Sequence, residues 1–223
     1  MLKRLLPVVA LNLPADCQAD QLASLFQSSS VAGRRAAVIV DDAAVRIWQT
    51  TPPSNLARLA DLRIASTLRF ETLYGESADD WHIAAAWQAD RHFMASAIRR
   101  ALLADIMDGA AAAGVAVRSI ESRFVAAWNR HCRRLDSATW LAQVHGGMLI
   151  LGAGSGQHLN AVRPTRLPDE CGHAWLASHV TREAARLGRA LPARLAVCGS
   201  VPAIWSAAGN AFPVCLPLAG STQ

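Results

Sequence analysis

Few residues in this chain have the types and spacing that chemistry requires. Asp41-Asp42 sits between two apolar runs, Ala36–Val40 and Val45–Gln49. Carboxylates gathered at strand ends can hold the metal ions of a hydrolytic site. A hairpin turn accounts for the same pair, because Asp side chains hydrogen-bond nearby backbone, and no acids recur at matching positions in the second half. Gly152-Ala153-Gly154-Ser155-Gly156 has the composition of a phosphate loop, but no Lys-Ser/Thr follows at the Walker spacing and no dinucleotide fingerprint is present. It is not a nucleophile elbow either, since Ala153 stands where the first glycine is needed. A hairpin turn of small residues is the expectation there. Cys171, His173 and His179 could ligate zinc only with further partners, and His131-Cys132 is the one other candidate pair, so no metal site is expected. His82, His92 and His158 stand singly and read as structural. Of the tryptophans, Trp48, Trp81, Trp87 and Trp128 read as core, while Trp175 and Trp205 are candidates to line a groove for a partner peptide, with core as the competing role.

Elements must hold these residues, and the clearest stretch runs from Thr139 to Arg163. Three short strands are expected there, Thr139–Val144, Met148–Leu151 and His158–Arg163, turning at His145-Gly146-Gly147 and at Gly152–Gly156. A helix over Asp169–Gly188, a strand over Arg194–Cys198, a short helix over Val201–Ala208 and a last strand over Ala211–Leu216 follow. Three meandering strands, helix, strand, helix, strand is the order of a ribonuclease-H-like half, the unit of actin-like folds. The first half reads as a buried strand over Leu5–Leu13, a short helix over Ala19–Gln27, and the hairpin around Asp41-Asp42. Thr51-Pro52-Pro53-Ser54 stops that run, and Ser54 or Asn55 can cap a helix from about Leu56 to Tyr74. Its apolar stripe would be Leu56, Leu59, Leu62, Ala65, Leu68 (or Arg69) and Leu73. A strand over Trp81–Trp87, a long helix over Arg91–Ala113 closed by Gly114, a strand over Val115–Ile120 and a helix over Phe124–Leu135 complete it. The fold expected is α/β and actin-like: residues 1–120 and 121–223 form two halves, each with a mixed sheet and flanking helices, with a reduced N-terminal hairpin.

Composition narrows the setting. A 223-residue chain that is 52% hydrophobic and 17% charged is an ordered globular protein with a sizeable core. The N-terminus mimics a signal peptide, but Pro7 and Asn12 interrupt its apolar run and no small-residue cleavage site follows. Five scattered cysteines without a C-x-x-C pair read as reduced thiols of a cytoplasmic protein. The net charge of +5 lies wholly beyond residue 120, where 10 basic side chains face 5 acidic ones. Its densest point, Arg130-His131-Cys132-Arg133-Arg134, could meet an anionic surface or an acidic partner. It also suits a helix C-terminus, where cations are favoured. Without interleaved aromatics, nucleic-acid binding is not expected.

Three blocks resemble a known family: AAVIVDDAAVRIWQTTPP, RIASTLRFETLYGESADDWHIAAAW and AIRRALLADIMDGAAAAGVAVRSIESRFVAAWNR. They are similar to the actin-like cytoplasmic assembly proteins of bacterial envelope machines, PilM of type IV pili and the cytoplasmic domain of GspL of type II secretion. Phe70-Glu71, Ala113-Gly114-Val115 and Ser119-Ile120 occupy the matching places, and the resemblance spans about residues 36–163. It implies a non-catalytic scaffold, cytoplasmic and peripheral to the inner membrane, that binds a membrane-anchored pilus or secretion protein; a homodimer is compatible with it. It also implies where a nucleotide would sit. Actin-like ATPases use an acid and glycines at the first turn of each half, and here His145, Gly146, Gly147 and Gly199 occupy a cleft without the acid. No cofactor is therefore expected, with ATP binding and hydrolysis the alternative. A ribonuclease-H-type hydrolase using Asp41 and Asp42 is the second alternative. Trp175, Trp205, Arg130, Arg133 and Arg134 are the candidate partner-binding residues.

Overall fold

The computed structural model describes residues 8–14, 17, 19–28, 34–54, 58–155, 158–207 and 211–218. The chain divides into two compact units, one reaching Arg91 and resuming over Ala95–Ala126, the other comprising His92–Met94 and the chain from Ala127 onward.

In the first unit, β1 (Val8–Leu13), β2 (Arg35–Val40) and β6 (Ala116–Ser122) form a sheet in the order β1-β2-β6, with both pairings parallel. Parallel neighbours need a crossover, and α1 (Ala19–Gln27) supplies it between β1 and β2. Together with α3 (Arg100–Ala112) it covers one face, where Val38, Val40, Phe26, Leu22 and Ile106 share a core. A Cβ at Gly109 would stand 3.3 Å from the Phe26 ring, so a glycine there lets α1 and α3 approach closely. At the end of α3 the expected Gly114 stop is present. Its φ is +65°, and the amides of Gly114 and Val115 reach back to the carbonyls of Ala111 and Ala110.

A second three-stranded sheet carries β3 (Val45–Thr50), β5 (Phe93–Arg99) and β4 (Trp81–Ala85) in the order β3-β5-β4. This corrects two expectations. The runs either side of Asp41-Asp42 are not a hairpin, because β2 and β3 belong to different sheets. Asp41 caps a single helical turn between them, accepting the Ala43 N–H at 2.9 Å. Likewise the helix expected from Arg91 begins only at Arg100, and Phe93–Arg99 is a strand paired antiparallel with β4. Its alanines favour a helix locally, but Ala95 and Ala97 alternate into a core with Trp48, Phe70 and Trp81, and tertiary burial decides.

Above that core lies α2 (Leu59–Tyr74), its first turn held by the Asp61 carboxylate accepting the Arg58 N–H at 2.8 Å. The proposed caps and Leu56 fall partly outside the described residues. The buried face is Leu62, Ser66 and Phe70 rather than the leucine stripe, and Leu59, Leu68 and Leu73 are exposed. Trp48, Phe70 and Trp81 are larger than the leucines and set which side of α2 turns inward.

The second unit is one five-stranded sheet: β7 (Thr139–His145), β8 (Met148–Ser155), β9 (His158–Arg166), β10 (Arg194–Gly199) and β11 (Val214–Pro217). Their order, β11-β10-β7-β8-β9, has an antiparallel meander β7-β8-β9 with β10 and β11 parallel to β7, as the ribonuclease-H-like reading requires. α5 (His173–Arg186) and α6 (Ala203–Ala207) make the two crossovers, while α4 (Arg123–His131) leads in from the first unit. β7 is central and buried from Thr139 to Val144. Gly152 and Gly154 lie within β8, so the expected glycine turn is instead a strand with a bulge at Ala153/Gly154; Gly156 falls outside the described residues. A Cβ on Gly154 would collide with the Trp128 ring and the His158 carbonyl. Gly154→Ala should therefore cost about 1–3 kcal/mol through overpacking, read as a lower denaturant midpoint with the slope unchanged; an unshifted midpoint would show that Trp128 can move aside.

Candidate functional site

The first unit contains an open groove of about 350 Å³. It follows from the β4–β5 register. Trp81 and Ala97 face the aromatic core, and the opposite face carries His82 and Ala84 of β4 beside Ile98 and Ser96 of β5. These four residues floor the groove. Small side chains leave its centre open. The wall is β6, of which Val117 through Ser122 all line the space. β6 is the outer strand of its sheet, with β2 on one side and no strand of the described residues on the other. An unpaired edge beside an apolar trough can add a strand: main-chain groups bind an extended peptide and alternate pockets take its side chains.

Asp42 braces the groove's end. Its carboxylate accepts the Phe124 N–H at 2.9 Å in the first turn of α4, and the Ser122 hydroxyl accepts the Val125 N–H at 3.2 Å. Both members of the Asp41-Asp42 pair thus hold backbone amides. Among the described residues no group of three or more His, Cys, Asp or Glu is placed to hold a metal ion. Of the zinc candidates, His173 bonds the Pro213 carbonyl at 3.0 Å and His179 stacks on Trp175.

The cleft glycines lie together in the second unit. His145-Gly146-Gly147 turns β7 into β8, with φ of +55° and +73° at the two glycines, the left-handed pair a two-residue hairpin needs. Gly199 pairs with Val144 at the same end of the sheet.

The partner-binding candidates do not form one patch. Trp205 is 1% exposed and donates its indole N–H to the Cys171 carbonyl at 2.6 Å, so it fills the core instead of lining a groove. Trp175 stacks between Trp205 and His179, with ring centroids at 6.5 and 5.1 Å, and is half-buried. Arg130, Arg133 and Arg134 are exposed, at the end of α4 and in the turn after it. Sequence reasoning missed the groove because it missed β5. The signal was the alternation Phe93, Ala95, Ala97 against Met94, Ser96, Ile98.

No protein-family model matches the sequence, and no curated protein matches it. Solved structures do match. The cytoplasmic domain of EpsL, an inner-membrane component of the type II secretion system of Vibrio cholerae, aligns with a TM-score of 0.61 at 11% identity, over 95% of this chain and 89% of that one. A chain of the PilM–PilN type IV pilus biogenesis complex aligns at 0.65 and 13% identity, over 90% and 74%. A Bacteroides thetaiotaomicron protein with an actin-like ATPase fold and unknown function aligns at 0.64 and 8%, over 97% and 92%. The fold is actin-like. The backbone likeness reaches the pilus and secretion proteins that the sequence blocks resemble.

On the buried face of α5, Glu183 lies between Arg163 and Arg186, at 2.8 and 2.7 Å. Burial pushes its carboxyl pKa up, but the two guanidinium hydrogen bonds and charges outweigh that and hold it below the ordinary value. Burial also lowers the pKa of His179, outweighing the pull of Glu183 in the other direction. Both folded values lie below the unfolded ones, so both contributions are present at neutral pH and are lost on acidification, His179 first and Glu183 later. Glu183→Gln should cost about 1–2 kcal/mol at neutral pH, the arginines being partly exposed. The deficit should shrink as pH falls through the folded carboxyl pKa, checked by denaturation at stepped pH.

Proposed function

We propose that the protein is a non-catalytic cytoplasmic scaffold of a type IV pilus or type II secretion assembly platform, holding an extended segment of a membrane-anchored partner. One observation carries this reading: the outer strand β6 borders an apolar groove floored by Ala84, Ser96 and Ile98. That is a shape for a peptide main chain with small or branched side chains. The fold supports it, since one neighbour of like architecture was solved within a pilus biogenesis complex and another is the cytoplasmic domain of an inner-membrane secretion component. Among the described residues no helix is long and apolar enough to cross a membrane, and the exposed Arg130, Arg133 and Arg134 suit the side of the scaffold that meets an anionic surface.

The test uses synthetic peptides covering the cytoplasmic tails of pilus and secretion inner-membrane proteins encoded beside this one, titrated against the full chain. One tail should bind saturably, and Ser96→Arg, which raises a charged side chain from the groove floor, should weaken it at least ~10-fold. Absence of binding by every tail, or binding indifferent to Ser96→Arg, would remove this reading. Magnesium-ATP should leave the melting temperature unchanged. A rise of several degrees would favour the ATP-binding alternative, because a ligand of the native state stabilises it.

A further inference from the structure

A second space, of about 530 Å³, lies along β4 in the first unit. Trp81, His82, Ile83 and Ala84 all border it in succession. β4 is the outer strand of β3-β5-β4, so among the described residues no strand pairs with its far side. In an antiparallel pair every second residue of the edge strand directs its N–H and C=O outward. The Trp81 N–H is already given to the Ala78 carbonyl, so an incoming strand would pair with β4 beyond that residue.

The surroundings have a sign. Arg63 of α2 is exposed and has no carboxylate partner among the described residues; its guanidinium stands 5.9 Å from the centre of the Trp87 ring. Arg100 is exposed as well, held by its Nε donating to the Asp79 carbonyl at 2.8 Å. Asp79 is the one carboxylate in a lining that also holds Arg63 and Arg100. Trp87 itself has φ of +35°, a left-handed backbone that side chains with a Cβ avoid. Backbone strain of this kind collects where a side chain is held for binding. Here it sets a half-buried indole beneath the unpaired guanidinium of Arg63.

We propose that the β4 edge is a second docking surface, which takes an extended segment of another protein carrying carboxylate side chains. Its main chain would continue the β3-β5-β4 sheet, and its acids would meet Arg63 and Arg100. The surface shares His82 and Ala84 with the groove beside β6 but is set apart from it by Arg63, Trp87 and Arg100, and it does not depend on the function proposed for that groove.

Two blocked peptides, TVEVEVT and its counterpart TVKVKVT, test this on the full chain by tryptophan fluorescence. The acidic peptide should bind roughly tenfold more tightly than the basic one, less so as salt is raised. Arg63→Glu should reverse the preference, and Ser96→Arg should leave it intact. Arg63 is exposed, so its variant should melt with the parent. Trp87→Gly provides a second variant, since glycine accepts the backbone angle without strain; it should fold and bind the acidic peptide several-fold more weakly. The proposal is overturned by equal or absent binding of the two peptides, by a preference that survives Arg63→Glu, or by one that disappears with Ser96→Arg.

Discussion

Everything the candidate site offers depends on one packing choice: α2 covers a single face of a three-stranded sheet. Phe70 sits between Trp48 and Trp81, with ring centroids 5.3 and 5.4 Å away, and these tilted contacts fix which face of β3-β5-β4 turns inward. Arg46 and Arg99 complete the arrangement from outside. Their guanidinium groups lie 5.2 and 4.6 Å from the Trp81 ring centre, and both pair with Glu76. Once the large rings occupy one face, the alternation of a strand sends the small residues Ala84 and Ser96 to the other. A sheet this narrow also has little interior. Two of its three strands are edges, and edges left unpaired are where proteins meet other chains.

The second unit solves the same problem differently. Its central strand is buried from Thr139 to Val144, and its core runs from Trp140 through Leu149, Leu176 and Val180 to Trp205. The buried charge is held in place rather than offered: Glu183 has two arginines, and the half-buried Trp175 rests on His179 and Trp205. The charge excess of this half is therefore carried by side chains at its surface, Arg130, Arg133 and Arg134 among them. Field strength there affects partner choice and encounter, not the fold.

Much of the second unit was legible in the sequence because its signals are local. Glycines at 146 and 147 mark a hairpin, apolar runs mark strands buried on both faces, and Gly188 marks a helix end by the angle it adopts. The first unit hid its design where local preference and tertiary burial disagree. Ala95, Ala97 and Ile98 sit in a stretch rich in helix formers, and only the rings of Trp48, Phe70 and Trp81 across the core make a strand the better answer. The leucines of α2 misled for the same reason. Leu68 repeats at helical spacing, yet Phe70 excludes more water per residue and takes the inward position. Pairing was the other blind spot. Nothing local in Val45–Thr50 says that it leaves the sheet of β2 for another.

Gly146, Gly147 and Gly199 illustrate how glycines can be explained by the backbone they sit in. A Cβ on Gly199 would run into the Val144 carbonyl, because β10 and β7 end side by side and that carbonyl also receives the Ser200 amide at 2.8 Å. Only glycine tolerates both that approach and a φ of +86°. Gly146 and Gly147 are demanded by the turn itself, and the Gly147 carbonyl is engaged by the Leu167 amide at 2.8 Å. All three are therefore required by the backbone of the sheet whether or not phosphate ever approaches it. A phosphate grip adds an oriented set of free amides and a carboxylate to hold the metal ion, and the turn Val144–Met148 contains no Asp or Glu.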